Sequence, residues 1–198
     1  MKKNGNKVFT LIMFFLVLGA LGFYIHLSNE SPDHQDVKET SEKEKLLNYD
    51  MENEYPKTVR ETVKLHCRYL KYVYNNDFTD DELFTVNQQI RKLFDEELLE
   101  NNTADKQLQG LKDEITLYEA NKQKFTGYRV AEASQVEYNT EEGKEYAKIR
   151  VTLSLSINSA SASVDEEYIL RQDENGKWKI LGWQAINQGQ ATDEGDAE

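Results

Sequence analysis

From Val8 to Leu27 the chain runs for 20 residues without a Lys, Arg, Asp or Glu, and 16 of the 20 are apolar. At 1.5 Å per residue such a helix spans about 30 Å, the thickness of a bilayer's hydrocarbon core. Lys2, Lys3 and Lys7 precede the run and the first charge after it is Glu30. The positive-inside rule therefore keeps residues 1–7 cytoplasmic and sends everything after the run outward. Phe23 and Tyr24 suit an interfacial aromatic belt on the far side. The alternative is a signal peptide cleaved at Ala20-Leu21-Gly22, which would release a soluble domain. The apolar run continues past that point through Phe23, Tyr24, Ile25 and Leu27, longer than a signal core requires. A retained single-pass anchor over 8–27 is the expectation, with the C-terminal domain extracytoplasmic at the cell membrane.

Charge narrows the partners. With 24 Lys+Arg against 36 Asp+Glu the chain carries −12, and every acid follows the apolar run, which argues against nucleic acid. One cysteine and three histidines supply neither a disulfide framework nor a four-ligand zinc site, so no metal and no cofactor is expected. Cys67 also lies too far downstream to carry a lipid at the end of the run. Residues 28–49 are charged and nearly without apolar side chains before Leu46, the composition of a flexible stalk. Residues 185–198 read as an acidic disordered tail. Between them, 50–184 has the length of one domain.

That domain begins with a period of 3.6 and ends with a period of 2. Pro56 suits a first helical turn, and Val59, Val63, Leu70 and Val73 follow on one arc with Tyr55 and Tyr74. Thr79-Asp80-Asp81-Glu82 has the form of a capping box, after which Phe84, Ile90, Leu93, Phe94 and Leu98 predict a second helix. Asn101-Asn102-Thr103 breaks it, and Leu108, Leu111, Ile115 and Tyr118 predict a third, ending near Lys124. Tyr128, Val130, Val136 and Tyr138 then mark a strand. Ala147, Ile149, Val151, Leu153, Leu155 and Ile157 alternate with polar residues, predicting a sheet with one buried face. Val164, Tyr168 and Leu170 mark another strand, and Trp178 to Trp183 the last. Glu141-Glu142-Gly143 and Asp173-Glu174-Asn175-Gly176 read as hairpin turns. Helices followed by an antiparallel sheet make an α+β fold.

The helix pair, the long alternating strand, the Tyr-containing strand and above all Asn175-Gly176-Lys177-Trp178-Lys179-Ile180 resemble the nuclear transport factor 2-like superfamily, over roughly residues 52–184. The resemblance implies a curved antiparallel sheet wrapped around N-terminal helices as a cone with an apolar cavity. That superfamily includes ketosteroid isomerase-like enzymes and many non-catalytic domains, some membrane-anchored. None of its enzyme motifs matches here residue by residue, so no catalytic residue is assigned.

Two groups of side chains are candidate binding sites. His66 lies on the apolar arc of the first helix, and Glu166 shares strand parity with Tyr168, so in a cone all three would face the cavity as ligand-binding groups. Their plain alternatives are a core histidine and a solvated run Asp165-Glu166-Glu167. On the opposite side of that helix, Lys57, Arg60, Lys64, Arg68 and Lys71 form a basic stripe suited to another envelope protein or an anionic surface. Its alternative is neutralisation by the domain's own acids, such as Asp95, Glu96 and Glu97. Cys67 and His66 are consecutive on a helix, so they point about 100° apart and make no nucleophile pair. The expectation is a membrane-anchored binding or assembly domain without catalytic activity. The alternative is a small-ligand or enzymatic domain that uses the cavity.

Overall fold

The structure, a computed structural model, describes residues 39–186. The expected cytoplasmic segment, the anchor over 8–27, the first part of the stalk and nearly all of the acidic tail lie outside those residues. Among the described residues no helix is long and apolar enough to cross a membrane.

Five helices, α1 (Glu39–Leu47), α2 (Val59–Val73), α3 (Asp80–Arg91), α4 (Glu96–Asn101) and α5 (Ala104–Ala120), precede five strands. The strands are β1 (Gln123–Val130), β2 (Glu137–Glu141), β3 (Lys144–Ile157), β4 (Ala160–Gln172) and β5 (Trp178–Ala185). All pairings between the strands are antiparallel, in the order β1-β3-β4-β5, with β2 also on β3. The α+β expectation holds.

Helix starts follow side-chain capping. Thr58 and Glu61 cap α2 reciprocally, and Thr79 and Glu82 do the same for α3, each pair satisfying backbone N–H groups that the first turn leaves open. Pro56 therefore lies ahead of α2, not in its first turn. The second helix is interrupted. After Arg91 the backbone turns aside because Leu93 and Asp95 bond the edge of β5: Ile180 N–H donates to Leu93 O and Asp95 N–H donates to Ile180 O, both at 2.8 Å. Asp95 then caps α4. Phe84 lies within α3 ahead of the break, about 100° around the helix from Leu83, so it is not on the buried face. It is 50% exposed, while Leu83, Val86 and Ile90 face the core.

Residues 39–47 fell within the expected stalk but form α1, which lies on the domain. Leu46 is buried, and its carbonyl accepts from the Tyr69 hydroxyl at 2.9 Å. Tyr69, which lies off the apolar arc of α2, is buried beside α1, and Leu65 is buried too.

The single strand expected from Tyr128 to Tyr138 is two strands. A 3-10 turn at Ala133–Gln135 separates β1 from β2, which pair with the two halves of β3. Tyr138 is exposed on the second. On β3, Ala147, Ile149, Val151, Leu153 and Leu155 are all buried, as their alternation predicts. The turn at Glu142-Gly143 has positive φ at both residues. So does Asn158-Ser159, the β3–β4 turn, at 49° and 69°. β1 is bulged near Gly127 and β4–β5 at Ile169/Leu170. The second bulge shifts parity on β5, so Ile180 pairs with Leu170 while Trp183 still pairs with Tyr168.

Candidate functional site

His66 comes from the middle of α2, where the apolar arc meets the sheet. It is 1% exposed, and its Nδ1 is 3.1 Å from the hydroxyl of Tyr168 on β4. Tyr168 stacks on Trp183 of β5 with ring centres 5.6 Å apart, and Trp183 lies 4.9 Å from the His66 ring. Burial alone holds the imidazole far down, at about 3, so it is neutral throughout the ordinary pH range. Burial likewise raises the thiol of neighbouring Cys67, which makes it an inert core side chain.

Glu166 sits two residues before Tyr168 and therefore on the same face of β4. Only 2% of it is exposed, so the solvated alternative for this residue fails, while Asp165 and Glu167 on the other face are half-buried. Its Oε2 has no hydrogen-bond partner among the described residues. Burial pushes its carboxyl up to about 7, opposed by the Tyr168 hydroxyl and reinforced by the negative charge of Glu114.

A cavity of about 50 Å³ lies between α2, α5 and the sheet, and Tyr168 is not among the residues that line it. His66 and Glu166 line it, and so do Glu114, Tyr118, Phe125 and Trp183. A water needs roughly 10–15 Å³ of such space, so the cavity holds a few waters or a ligand of a few heavy atoms. Two more tyrosines close one side. Tyr74 and Tyr118 are stacked with ring centres 4.4 Å apart, and the Tyr74 hydroxyl donates to Glu114 Oε2. Both tyrosines also line an outer groove of about 380 Å³ beside Asn75, Asp77, Lys122 and Lys124. The stacked pair thus stands between the inner cavity and the outer groove.

Glu114 was not among the residues singled out from the sequence. Its signal was present: it lies three residues after Leu111 and four before Tyr118, so one helical face carries a carboxylate between two apolar positions. Tyr74 was placed on the apolar arc of α2, but its pairing with Tyr118 depends on how α2 and α5 meet.

The basic stripe is divided. Arg68 donates from Nη2 to Glu42 Oε2 at 2.9 Å, tying α2 to α1. Arg60 donates from Nε to Ala131 O at 2.9 Å and from Nη2 to Glu132 at 3.0 Å. The compensating acids are therefore Glu42 and Glu132. Asp95 and Glu97 instead hold Arg171 of β4. Lys57, Lys64 and Lys71 form no ion pair among the described residues. Among those residues no group of three or more His, Cys, Asp or Glu side chains is placed to hold a metal ion.

Over residues 1–183 the chain matches the family described as Domain of unknown function (DUF6715), and it belongs to that family. No curated protein matches it.

Proposed function

We propose that this member of the DUF6715 family is a membrane-tethered domain that binds a small ligand in the cavity between α2, α5 and the sheet. The carrying observation is Glu166: a carboxyl 2% exposed, with one oxygen unpartnered, lining a cavity walled by aromatic rings. Leaving such a group buried costs stability, so a well-packed fold gains nothing from it unless something arrives to meet it. Of the three groups expected to converge, His66 and Glu166 line this space, while Tyr168 reaches it only through its hydrogen bond to His66.

The wider setting is part of the same proposal. The apolar run at 8–27 behind Lys2, Lys3 and Lys7 supports an anchor with the domain on the extracytoplasmic side. The bulged antiparallel sheet over α2 and α5 supports the nuclear transport factor 2-like cone. Tethering would raise the domain's effective concentration for anything released at the same membrane.

The test is a thermal-shift screen of small molecules on the full chain in detergent, repeated on Leu153→Phe, which fills the cavity. Ligands of the cavity stabilise the wild type and lose their effect on the variant. Compounds that act equally on both would sink the proposal, as would a screen without any stabiliser.

A second reading, docking of an acidic partner on the basic face, keeps the support of Lys57, Lys64 and Lys71, whose charges no acid in the described domain pairs. Replacing these three with glutamine should abolish recovery of such a partner from cross-linked membranes. Unchanged recovery removes this reading.

A further inference from the structure

Beside the neutral amide of Gln107 and the tyrosine hydroxyls, the cavity's carboxyl groups set its charge. Glu166 from β4 and Glu114 from α5 both line it, and none of its lining residues is a lysine or an arginine. His66 is neutral through burial and supplies no compensating charge. Two carboxyls lining one cavity repel anions, and the charge of Glu114 raises the carboxyl of Glu166. The remaining wall mixes the aliphatic Leu70, Ile90, Leu111 and Leu153 with the rings of Tyr118, Phe125, Phe94 and Trp183, and the faces of such rings attract cations.

We infer that this cavity is a site for a small protonated amine, whose ammonium group donates hydrogen bonds to the unpartnered Oε2 of Glu166 within the aromatic wall. The inference rests on the proposal that the cavity binds a ligand, and it adds the ligand's class. Size sets the upper bound: about 50 Å³ admits an amine of a few heavy atoms, with Tyr74 and Tyr118 in place. A neutral alcohol fits the same space but leaves the carboxylate charge unmatched. An anion meets two carboxyls.

The pH dependence follows from the groups that face Glu166. These are Cys67 and Tyr74 of α2, Glu114 and Tyr118 of α5, and Tyr168 on its own strand. The phenols and the thiol are all raised by burial and stay protonated, so they add no charge beside Glu166 around neutral pH. With a carboxyl near 7, the ionised fraction rises about tenfold from pH 6 to pH 8, while a simple amine stays protonated.

The experiment is an NMR titration of the full chain in detergent micelles with ¹³C-methylammonium, against methanol as the neutral match and sodium chloride as the ionic control. Methylammonium should give intermolecular NOEs to the rings of Tyr118 and Phe125. It should bind about tenfold more tightly at pH 8 than at pH 6. Methanol should bind at least tenfold more weakly, and Glu166→Gln should reduce methylammonium binding tenfold or more. Glu114→Gln, in the same assay, gives a second reading should the first variant unfold. If methanol enters as readily as methylammonium, or if the glutamine variants leave the affinity unchanged, the amine assignment is overturned while ligand binding in the cavity survives. If neither probe enters, both fall.

Discussion

The imidazole Nδ1 of His66 lies 3.1 Å from the hydroxyl of Tyr168, 102 residues further along the chain. This bond joins the first long helix to the strand that carries Glu166, deep in the domain. It fixes where the carboxyl sits, because Tyr168 and Glu166 share one face of β4 two residues apart. The stacking of Tyr168 on Trp183 extends the same clamp to β5.

Removing the hydroxyl tests the clamp. Tyr168→Phe keeps the ring stack but leaves His66 Nδ1 without its partner in a buried site. The expected loss is about 1–3 kcal/mol of unfolding free energy, read from urea denaturation of the full chain. A loss under about 0.5 kcal/mol would mean that the bond contributes little.

Two buried groups should shape the pH dependence in opposite directions. The folded Glu166 keeps its proton up to about 7, whereas in an unfolded chain it releases it near 4.5, so its contribution to stability falls as pH rises through that window. The folded His66 refuses a proton down to about 3, whereas unfolded it takes one near 6.5, so its contribution rises with pH from about 3 to 6.5. Between about 4.5 and 6.5 the two slopes oppose each other. The stability of the wild type minus that of Glu166→Gln should therefore decline with pH across that interval, by up to about 1.4 kcal/mol per unit. Denaturation curves at pH 4.5, 5.5, 6.5 and 7.5 measure it, and a flat difference would place the carboxyl's folded and unfolded values together.

Leu46 reports where the folded domain begins. It is 1% exposed and lies in α1, so Leu46→Ala should cost about 2–4 kcal/mol. A change within about 0.5 kcal/mol would mean that α1 adds nothing to the stability of the domain.

The β3–β4 turn carries a removable strain. Ser159 has φ of 69°, where a side chain crowds the backbone and glycine does not. Ser159→Gly should raise stability by about 0.5–1 kcal/mol in thermal or urea unfolding. No gain would mean that the greater freedom of glycine in the unfolded chain offsets the relief.

Several elements were legible because their signals are local. The capping box at Thr79 and Glu82, the break at Asn101-Asn102-Thr103 and the alternation of β3 all depend on neighbours within a few residues. So does the Asp173–Gly176 turn, closed by Gly176 N–H donating to Asp173 O at 2.9 Å. The Thr58 and Glu61 pair was equally local, but Pro56 drew the helix start forward. The interruption after Arg91 was different in kind. Nothing in the apolar spacing from Phe84 to Leu98 announces it, because the backbone groups that end the helix are claimed by β5, more than eighty residues away.

The period of each segment, the charge balance, the apolar run at 8–27 and the strand parity that puts Glu166 beside Tyr168 can be read along the chain. These are properties of spacing, and spacing is one-dimensional. Only the tertiary structure decided that Glu166 is buried, that Glu114 reaches the same cavity from another helix, and that Arg60 and Arg68 are used within the chain while three lysines are not. Each of these depends on which faces meet, and that is settled by packing between elements far apart in the chain. The same residue, a glutamate on a strand, is a fully ionised charge at a free edge and, buried against the helices, an acid that keeps its proton up to about 7.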